Sequence, residues 1–199
     1  MLLLDRWPLP GGTRLRDRLL MAYGDPTRHY HDSRHLTEVF ARLDELSAHG
    51  VRFDAYPVTL AAWFHDAVYD RTGEDEDRSA RLAGAELPTV GVPDHVVAEV
   101  VRLVRLTESH HPDPGDHNGA ALVDADLGIL AAPPERYASY AAGVRREYVH
   151  LGDGPFAVGR AAILRELLAK TSLFHTGYAR STWEDTARHN IAAELRTLQ

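Results

Sequence analysis

The stretch AAWFHDAVYD, residues 61 to 70, places two ionisable residues among side chains that proteins bury. His65 and Asp66 stand side by side, flanked by alanine, tryptophan, phenylalanine and valine. An uncompensated buried charge is costly even after its surroundings relax, so the pair needs a hydrogen bond, an ion pair or a bound metal. Neighbours on a helix point about 100° apart, so both cannot face away from a helix that is apolar on nearly every side. This favours metal ligation.

Two further polar residues lie in similarly apolar surroundings. His35 falls in the first turn of a predicted helix, and Asp126 lies within LVDADLGIL. With His65 and Asp66 they offer two imidazoles and two carboxylates from three helices. A donor set of nitrogen and oxygen without thiolate suits one or two divalent ions, drawn from Mn, Mg, Fe, Zn, Co and Ni.

Each of these residues also has a purely structural explanation. A lone buried histidine commonly bonds to a backbone carbonyl, and a lone buried aspartate commonly caps a helix or pairs with arginine. Asp124 competes with Asp126, since it lies two residues away and faces another side of the same helix. An internal His65–Asp66 pair that binds no metal is therefore one alternative.

The composition limits the function classes. With 199 residues, of which 44% are hydrophobic and 26% charged, the chain has the make-up of a globular protein with one core. Its formal net charge of −7 argues against binding of nucleic-acid polymers or anionic membranes, which require a positive surface. The absence of cysteine excludes disulfides, thiolate zinc sites and iron–sulfur clusters. The motifs GxxxxGK(S/T), GxSxG and HExxH are also absent.

The sequence gives no sign of a secretory signal or a membrane span. MLLLDRW has only three apolar residues after Met1 before the first charged residue, and no later run approaches the roughly 20 residues of a membrane span. The default expectation is a cytoplasmic protein.

Apolar residues recur at helical spacing almost throughout, which predicts an all-α fold with a single domain over residues 1–199. Glycine, proline and capping residues set the predicted boundaries. A valine-rich helix after Pro93 could by propensity alone be a strand, but its i, i+4 spacing favours a helix. The predicted helices cover 13–23, Asp32 or Ser33 to Gly50, 57–69, a segment through Ser79 to Leu87, 93–107, 120–131, 134–149, 155–169, and a last helix opened by a Ser181–Glu184 capping box. Residues 70–77 and 110–119 are predicted loops.

The ordered set of these motifs resembles a known family. The segments RHYHDSRHLTEVF, AAWFHDAVYD, EDEDRSA, VDADLGIL, YAAGVRREYVH and EDTARHNIAAEL are similar, in order and spacing, to the HD-domain metal-dependent phosphohydrolases, in particular a bacterial subgroup. The resemblance runs from about residue 25 to the end. It implies an HD-type helical bundle around a buried metal.

Residue by residue, the resemblance implies that His35, His65, Asp66 and Asp126 hold the metal. Asp126 is preferred over Asp124 because the last aspartate of the family directly precedes a leucine. Asp66 would bridge two metals or hydrogen-bond the attacking water, depending on the metal count. The resemblance also raises Glu76 or Asp77, in an acidic run that would otherwise be a solvated loop, as a near-site acid for the water proton.

Other candidates follow from position. His31 lies one helical turn before His35 and could ligate, or contact the substrate and shuttle protons, if the helix began early enough. His110 and His111 follow the valine-rich helix, where some HD proteins supply histidines for a second metal. They are otherwise plain loop residues, and His110 is the better candidate.

Arg28, Arg34 and Arg78 are candidate phosphate contacts. Arg145, with Glu147 and Tyr148, lies on a helix that could close over the pocket, although a salt bridge explains Arg145 and Glu147 equally well.

The expected function is hydrolysis of a small phosphate ester, such as a nucleotide, by a metal-activated water. Two alternatives keep the metal: a mixed-valent di-iron oxygenase on the same scaffold, and a regulatory module that senses a metal or nucleotide without turnover. The expected partner is a small phosphorylated molecule rather than a nucleic-acid polymer or a membrane.

Overall fold

The chain folds into helices whose positions largely follow its apolar periodicity. The computed structural model describes residues 3–71 and 73–198, and every regular element in them is helical, which confirms the all-α prediction. The α-helices are α1 (Thr13–Tyr23), α2 (Ser33–Ala48), α3 (Ala55–Phe64), α4 (Asp75–Glu86), α5 (Asp94–Ser109), α6 (His117–Asp126), α7 (Pro134–Glu147), α8 (Asp153–Ala169), α9 (Gly177–Thr182) and α10 (Glu184–Thr197). Short 3-10 helices cover Leu3–Arg6, Pro88–Val90 and Leu127–Ala131. Across the described residues, none of the helices combines the length and apolar character needed to cross a bilayer.

Helix α3 runs through the middle of the bundle. Its residues from 60 to 64 are fully buried, and it packs against α2, α4, α5 and α6. The valine-rich α5 buries Val100, Leu103 and Val104, and it is a helix as its spacing predicts. The ends of α2, α3 and α6 therefore meet around a common core.

Aspartate side chains begin the three helices that carry the site. The Asp32 carboxylate accepts hydrogen bonds from the backbone N–H groups of Arg34 and His35 at 2.8 and 3.2 Å. Asp54 and Asp116 cap α3 and α6 in the same way. Each cap of this kind contributes roughly 1 kcal/mol to helix stability. Because α2 starts at residue 33, His35 lies in its first turn.

The prediction of one helix over 57–69 is wrong at both ends, since α3 covers Ala55–Phe64. The backbone N–H of Asp66 donates to the Tyr23 hydroxyl at 3.3 Å and not to a carbonyl one turn back. The Arg28 guanidinium donates to the next two backbone oxygens, those of Asp66 at 2.7 Å and Ala67 at 3.2 Å. Distant side chains thus compete for the backbone groups that would extend the helix. His65 and Asp66 follow α3 in a turn.

Two further predicted boundaries also differ. Helix α4 begins at Asp75, inside the predicted 70–77 loop, because carboxylates in a first turn complement the helix dipole; Thr72 of that loop lies outside the described residues. The predicted 120–131 helix begins earlier, at His117 inside the predicted 110–119 loop, and divides into α6 and the 3-10 segment Leu127–Ala131. The Asn190 amide donates to two carbonyls near this segment, at 2.8 and 2.9 Å. Asp126 is therefore the last residue of α6.

The predicted capping box of the last helix is wrong. Ser181 lies inside α9, where its hydroxyl donates to the Tyr178 carbonyl at 2.9 Å. The Glu184 carboxylate accepts from the backbone N–H of Leu173 at 3.0 Å, so it fastens the segment before α9. The spacing suggested a local cap, but both side chains have other partners.

A glycine allows α7 to approach the segment before α2. A Cβ built on Gly143 would lie 2.6 Å from the backbone oxygen of His29 and 3.2 Å from the Tyr30 Cβ. The His29 backbone cannot move aside in the way that the end of a flexible side chain can. The close approach brings Glu147, at the end of α7, to the backbone of residues 29–31.

Replacing Gly143 with alanine should therefore lower the free energy of unfolding by about 1–3 kcal/mol, because the added methyl group forces α7 away from residue 29. The matched control is Gly159→Ala in α8, where nothing lies within 4 Å of the new Cβ. That change should be neutral or stabilise by about 0.5–1 kcal/mol. Urea unfolding followed by circular dichroism measures both, and equal effects of the two substitutions would contradict the packing argument.

Candidate metal centre

Three helix ends bring the central residues together. His35 comes from the first turn of α2, His65 directly follows α3, and Asp126 ends α6. Each offers one ligand atom, and these atoms all lie within 4.8 Å of one another. Both histidines are about 99% buried, at 1% exposure each. This group could hold a metal ion.

The distances fit ligands of one ion. The Nε2 atoms of His35 and His65 lie 3.0 Å apart. One Asp66 carboxylate oxygen lies 3.2 and 3.1 Å from these two nitrogens, and one Asp126 oxygen lies 3.3 and 3.7 Å from them. Neighbouring ligands about 2.1 Å from a shared ion are separated by roughly 3.0–3.4 Å. The His35–His65 and His35–Asp126 separations match this spacing, and the His65–Asp126 separation is slightly longer. Asp66 lies close to both imidazoles but is not part of this three-residue group.

The His65 ring is held with one nitrogen facing the cluster. Its Nδ1 lies 2.7 Å from the Ala62 carbonyl oxygen, which can only accept, so Nδ1 carries the proton. Nε2 is then left with its lone pair toward His35. A backbone carbonyl that fixes the tautomer in this way is the usual support of a metal-ligating imidazole.

Arg28 fastens the turn that carries Asp66. Its guanidinium donates to the backbone oxygens of Asp66 at 2.7 Å, His31 at 3.0 Å and Ala67 at 3.2 Å, and it is largely buried. It also lies over the Tyr23 ring, 5.3 Å from the centroid. Three of its N–H groups are thus used within the protein, and the predicted contact of Arg28 with phosphate stays a prediction.

The charges of the cluster are strongly coupled. Burial alone would lower the pKa of His35, but its hydrogen bonds to Asp126 and Asp66 raise that pKa to about 10. Burial also opposes charge on His65, and the Asp66 carboxylate raises its pKa. Burial would raise the pKa of both aspartates, yet the neighbouring histidines hold these pKa values well below the usual range. Without a cation, the proton that His35 keeps at neutral pH partly compensates the two carboxylates.

His31 and Glu147 form a second pair beside the cluster. The His31 Nδ1 lies 2.8 Å from one Glu147 carboxylate oxygen, which also accepts from the Tyr69 hydroxyl at 3.0 Å. The His31 ring stacks on Tyr69 with centroids 4.1 Å apart and lies 5.7 Å from the His35 ring. With Nδ1 donating to Glu147, the other nitrogen of His31 is left available near the centre.

Glu147 is the site residue whose role the sequence did not indicate. Its other carboxylate oxygen accepts from the backbone N–H groups of His29, Tyr30 and His31, at 2.8, 2.8 and 3.1 Å. Burial opposes its charge, but the hydrogen bond and charge of His31 outweigh burial and lower the Glu147 pKa to about 2. The sequence placed Glu147 only on a helix that could close over the pocket or in a salt bridge with Arg145, and the backbone N–H groups it binds lie 116 to 118 residues away.

His110 joins the edge of the cluster, whereas His111 does not. The His110 Nε2 lies 2.9 Å from the second carboxylate oxygen of Asp126. Its backbone adopts a left-handed conformation at φ 52°, which ends α5 and turns the side chain. His111 is exposed, and its ring bonds to the Ser109 carbonyl at 2.6 Å. Asp126 therefore links His35 to His110.

Asp124 faces away from the centre. It is fully buried and accepts from the backbone N–H groups of His175 and Thr176, both at 2.8 Å. Burial raises its pKa to about 6. Its role is to hold the chain before α9, and Asp126 is the aspartate that reaches the histidines.

The two candidate acids of α4 have different surroundings. Glu76 is half-buried, and burial, with the charge of Asp66, raises its pKa. Asp77 is partly exposed and pairs with Arg81 at 2.6 Å and Arg105 at 2.9 Å. The charge of Asp66 thus reaches Glu76, whereas the contacts of Asp77 are with two arginines outside the cluster.

The remaining predicted arginines are used elsewhere. Arg34 pairs with Glu38 on the exposed side of α2 at 3.1 Å. Arg78 pairs with Asp70. Arg145 donates to Asp153 at 2.7 Å and to the Tyr148 and Leu151 carbonyls, which brace the turn after α7. None of these contacts brings a guanidinium to the cluster.

Metal affinity should rise with pH. The metal-free His35, with a pKa of about 10, is protonated at neutral pH and must release that proton before Nε2 can bind a metal. Between pH 6 and 8.5 the affinity should increase by about tenfold per pH unit for each proton displaced. Competition titrations with Mn²⁺ and Zn²⁺ measure the slope, and calorimetry in two buffers of different ionisation enthalpy counts the protons. An affinity independent of pH would contradict the coupling.

The chemical capacity of the cluster follows from its own atoms. His35, His65 and Asp126 could hold one metal ion, while Asp66 and His110 extend the polar shell. Comparison with protein-family models, curated proteins and solved structures found no match to this chain. The contacts within the molecule and its sequence motifs are therefore the basis for a functional hypothesis.

Proposed function

We propose that this chain is a metal-dependent phosphohydrolase that cleaves a small phosphate ester by attack of water. The observation that carries the proposal is the convergence of His35, His65 and Asp126 from three helix ends, with the Asp66 carboxylate beside both imidazoles. The ordered motifs that resemble HD-domain phosphohydrolases contain these same four residues, which favours phosphate chemistry over other uses of such a centre.

In this proposal His35, His65, Asp66 and Asp126 would hold the ion. The donor chemistry fits a divalent ion of the Mn, Mg, Fe, Zn, Co or Ni group, because imidazole and carboxylate suit all of them. When bound, such an ion lowers the pKa of a coordinated water and stabilises charge on a phosphoryl oxygen. The Ala62 carbonyl supports the ligand set by fixing the His65 tautomer.

The proton transfers are assigned to residues around the ligands. Hydrolysis forms a bond between a water oxygen and phosphorus and breaks the bond between phosphorus and the ester oxygen. Glu76 takes a proton from the water, since its raised pKa makes it a better base than an ordinary exposed carboxylate. His31 gives a proton to the departing oxygen, and Glu147 holds its ring in place through Nδ1.

A binuclear oxygenase is the second candidate, and His110 favours it. Its Nε2 lies 2.9 Å from the Asp126 oxygen that does not face His35, so Asp126 could bridge two ions. A di-iron centre would show two irons per chain, a visible absorption band and turnover that consumes dioxygen. One metal per chain with phosphate release separates the hydrolase from this alternative.

The metal-loaded protein should release alcohol and phosphate from at least one member of a panel of nucleotides, sugar phosphates and simple alkyl phosphates. His65→Gln and Asp66→Asn should each lower kcat/KM by roughly 10³-fold or more, because both remove ligands. The control is His111→Gln, an exposed histidine outside the cluster. Turnover retained in both ligand variants would refute the hydrolase, and tight nucleotide binding without product would indicate a regulatory module.

Glu76 and Asp77 offer a matched pair for testing the proton acceptor. Glu76→Gln should lower kcat by roughly 10²-fold or more while leaving metal content unchanged, because the water loses its base. Asp77→Asn, one position along the same helix turn, should stay within about twofold, because Asp77 pairs with Arg81 and Arg105 outside the cluster. Steady-state kinetics and metal analysis on both variants make the comparison. Equal kcat values for the two would remove Glu76 from the mechanism.

A further inference from the structure

A cleft opens between α7, α8 and the segment before α2, next to the metal centre. Its volume is about 290 Å³, and it is lined by Tyr30, Tyr140, Tyr148, Phe156, Gly159 and Arg160, with His31 at its edge. We refer to it as the α7–α8 cleft. His31 connects it to the centre, because the same ring lies 5.7 Å from the His35 ring. The Tyr30 ring in the cleft wall is 4.8 Å from His35.

The walls of the cleft are aromatic. The Tyr30 and Tyr140 rings meet edge to face with centroids 4.5 Å apart. Tyr148 and Phe156 form a second pair, 6.4 Å apart and tilted by 39°. Aromatic walls of this kind favour a flat ring, which gains offset or edge-to-face contacts in addition to burial of apolar area.

Arg160 carries the only guanidinium group in the described lining, and this group already has an anionic partner. Arg160 is buried and donates to the Glu194 carboxylate at 2.7 and 3.0 Å and to the Tyr140 hydroxyl at 2.9 Å. Its charge is therefore paired with Glu194, and its Nε and Nη2 groups donate within the protein. A second phosphate or a sugar, which needs several free donors and acceptors, would be poorly satisfied here. The cleft suits a neutral group.

Gly159 keeps the cleft open at a cost to its helix. It lies in the interior of α8, where glycine is less favourable than alanine by roughly 1 kcal/mol. A Cβ at this position would meet nothing within 4 Å, so helix packing does not require the glycine. Gly159 is an exposed residue of the cleft lining, and its missing side chain leaves open space there. Around it, Val158 and Ile163 expose apolar surface, at 72% and 55% exposure.

We propose that the α7–α8 cleft binds an apolar aromatic ring, and that the substrate is a phosphate ester whose alcohol carries that ring. The substrate assignment rests on the proposed hydrolase function, because it requires the phosphate to reach the centre past His31. The ring-binding assignment concerns the cleft alone. The proposal therefore selects ring-bearing alkyl phosphates over sugar phosphates.

Binding of the ring is tested first, with 2-naphthylmethanol as a neutral fluorescent probe. The native protein should bind it saturably. Gly159→Leu should weaken binding by about tenfold or more, since the leucine side chain occupies the ring position. Gly154→Leu is the matched control, because Gly154 is also in α8, has nothing within 4 Å of its Cβ, and lies outside the lining. Circular dichroism and metal content verify that both variants fold.

Turnover is tested next with 2-naphthylmethyl phosphate and glycerol 3-phosphate, whose leaving alcohols have similar basicity. The native, metal-loaded protein should prefer the naphthyl ester in kcat/KM by at least about tenfold. Gly159→Leu should reduce this preference by a similar factor, and Gly154→Leu should retain it.

Three results would overturn the assignment. They are an unsaturable or absent response to 2-naphthylmethanol, equal binding by the native protein and Gly159→Leu, and tighter binding of adenosine than of the naphthyl probe, which would point to a polar ring. Ring binding that Gly159→Leu weakens, together with no hydrolysis of any ester, would instead overturn the hydrolase and the substrate assignment while supporting the cleft as a ring site.

Discussion

The attraction between the imidazoles of His35 and His65 and the carboxylates of Asp66 and Asp126 sets the terms for the whole cluster. Both histidines are buried, and both carboxylates are largely shielded, with side-chain exposures of 14 and 15%. Desolvating a carboxylate costs several kcal/mol even after relaxation, so Asp66 and Asp126 need positive charge nearby. A proton on His35 supplies part of it, and because the two Nε2 atoms lie 3.0 Å apart, that proton can be shared with a neutral His65. A divalent cation would meet the same demand, because neutral imidazoles would offer lone pairs and both carboxylates would face one positive charge centre.

The segment before α2 holds that arrangement without regular structure of its own. Glu147 accepts from three consecutive backbone N–H groups of this segment, and Arg28 donates to the His31 carbonyl at its end. The same arginine binds the carbonyls of Asp66 and Ala67, so it ties the segment to the turn after α3. The buried Glu147 carboxylate and the buried Arg28 guanidinium therefore set where His31 lies relative to the cluster. Close packing of α7 on this segment brings Glu147 into place.

The sequence predicted the helices well where apolar spacing decides them, as in α1, α2, α5 and α7, and less well where distant groups do. The end of α3 depends on Arg28 and the Tyr23 hydroxyl, which are more than 35 residues away along the chain. At the site, four polar residues in apolar surroundings converge as expected. The partners of Glu147 were not foreseen, because they come together only after α7 folds back. The intramolecular partners of the predicted phosphate-binding arginines were not foreseen either, because 29 acidic residues compete for 22 basic ones and local sequence does not reveal the partner.

This pairing of arginines bears on how the proposed hydrolase would recognise its substrate. Arg28, Arg34, Arg78 and Arg145 all have partners within the protein, and the chain carries a formal net charge of −7. Few of these guanidinium groups are therefore ready for a phosphate near the cluster. Such a hydrolase would leave the binding of the phosphate mainly to the cation, which would hold esters of different alcohols through the same group. Affinity and selectivity would then have to come from the neutral part of the substrate. The α7–α8 cleft, which adjoins the cluster through His31, would provide that selectivity without adding charge.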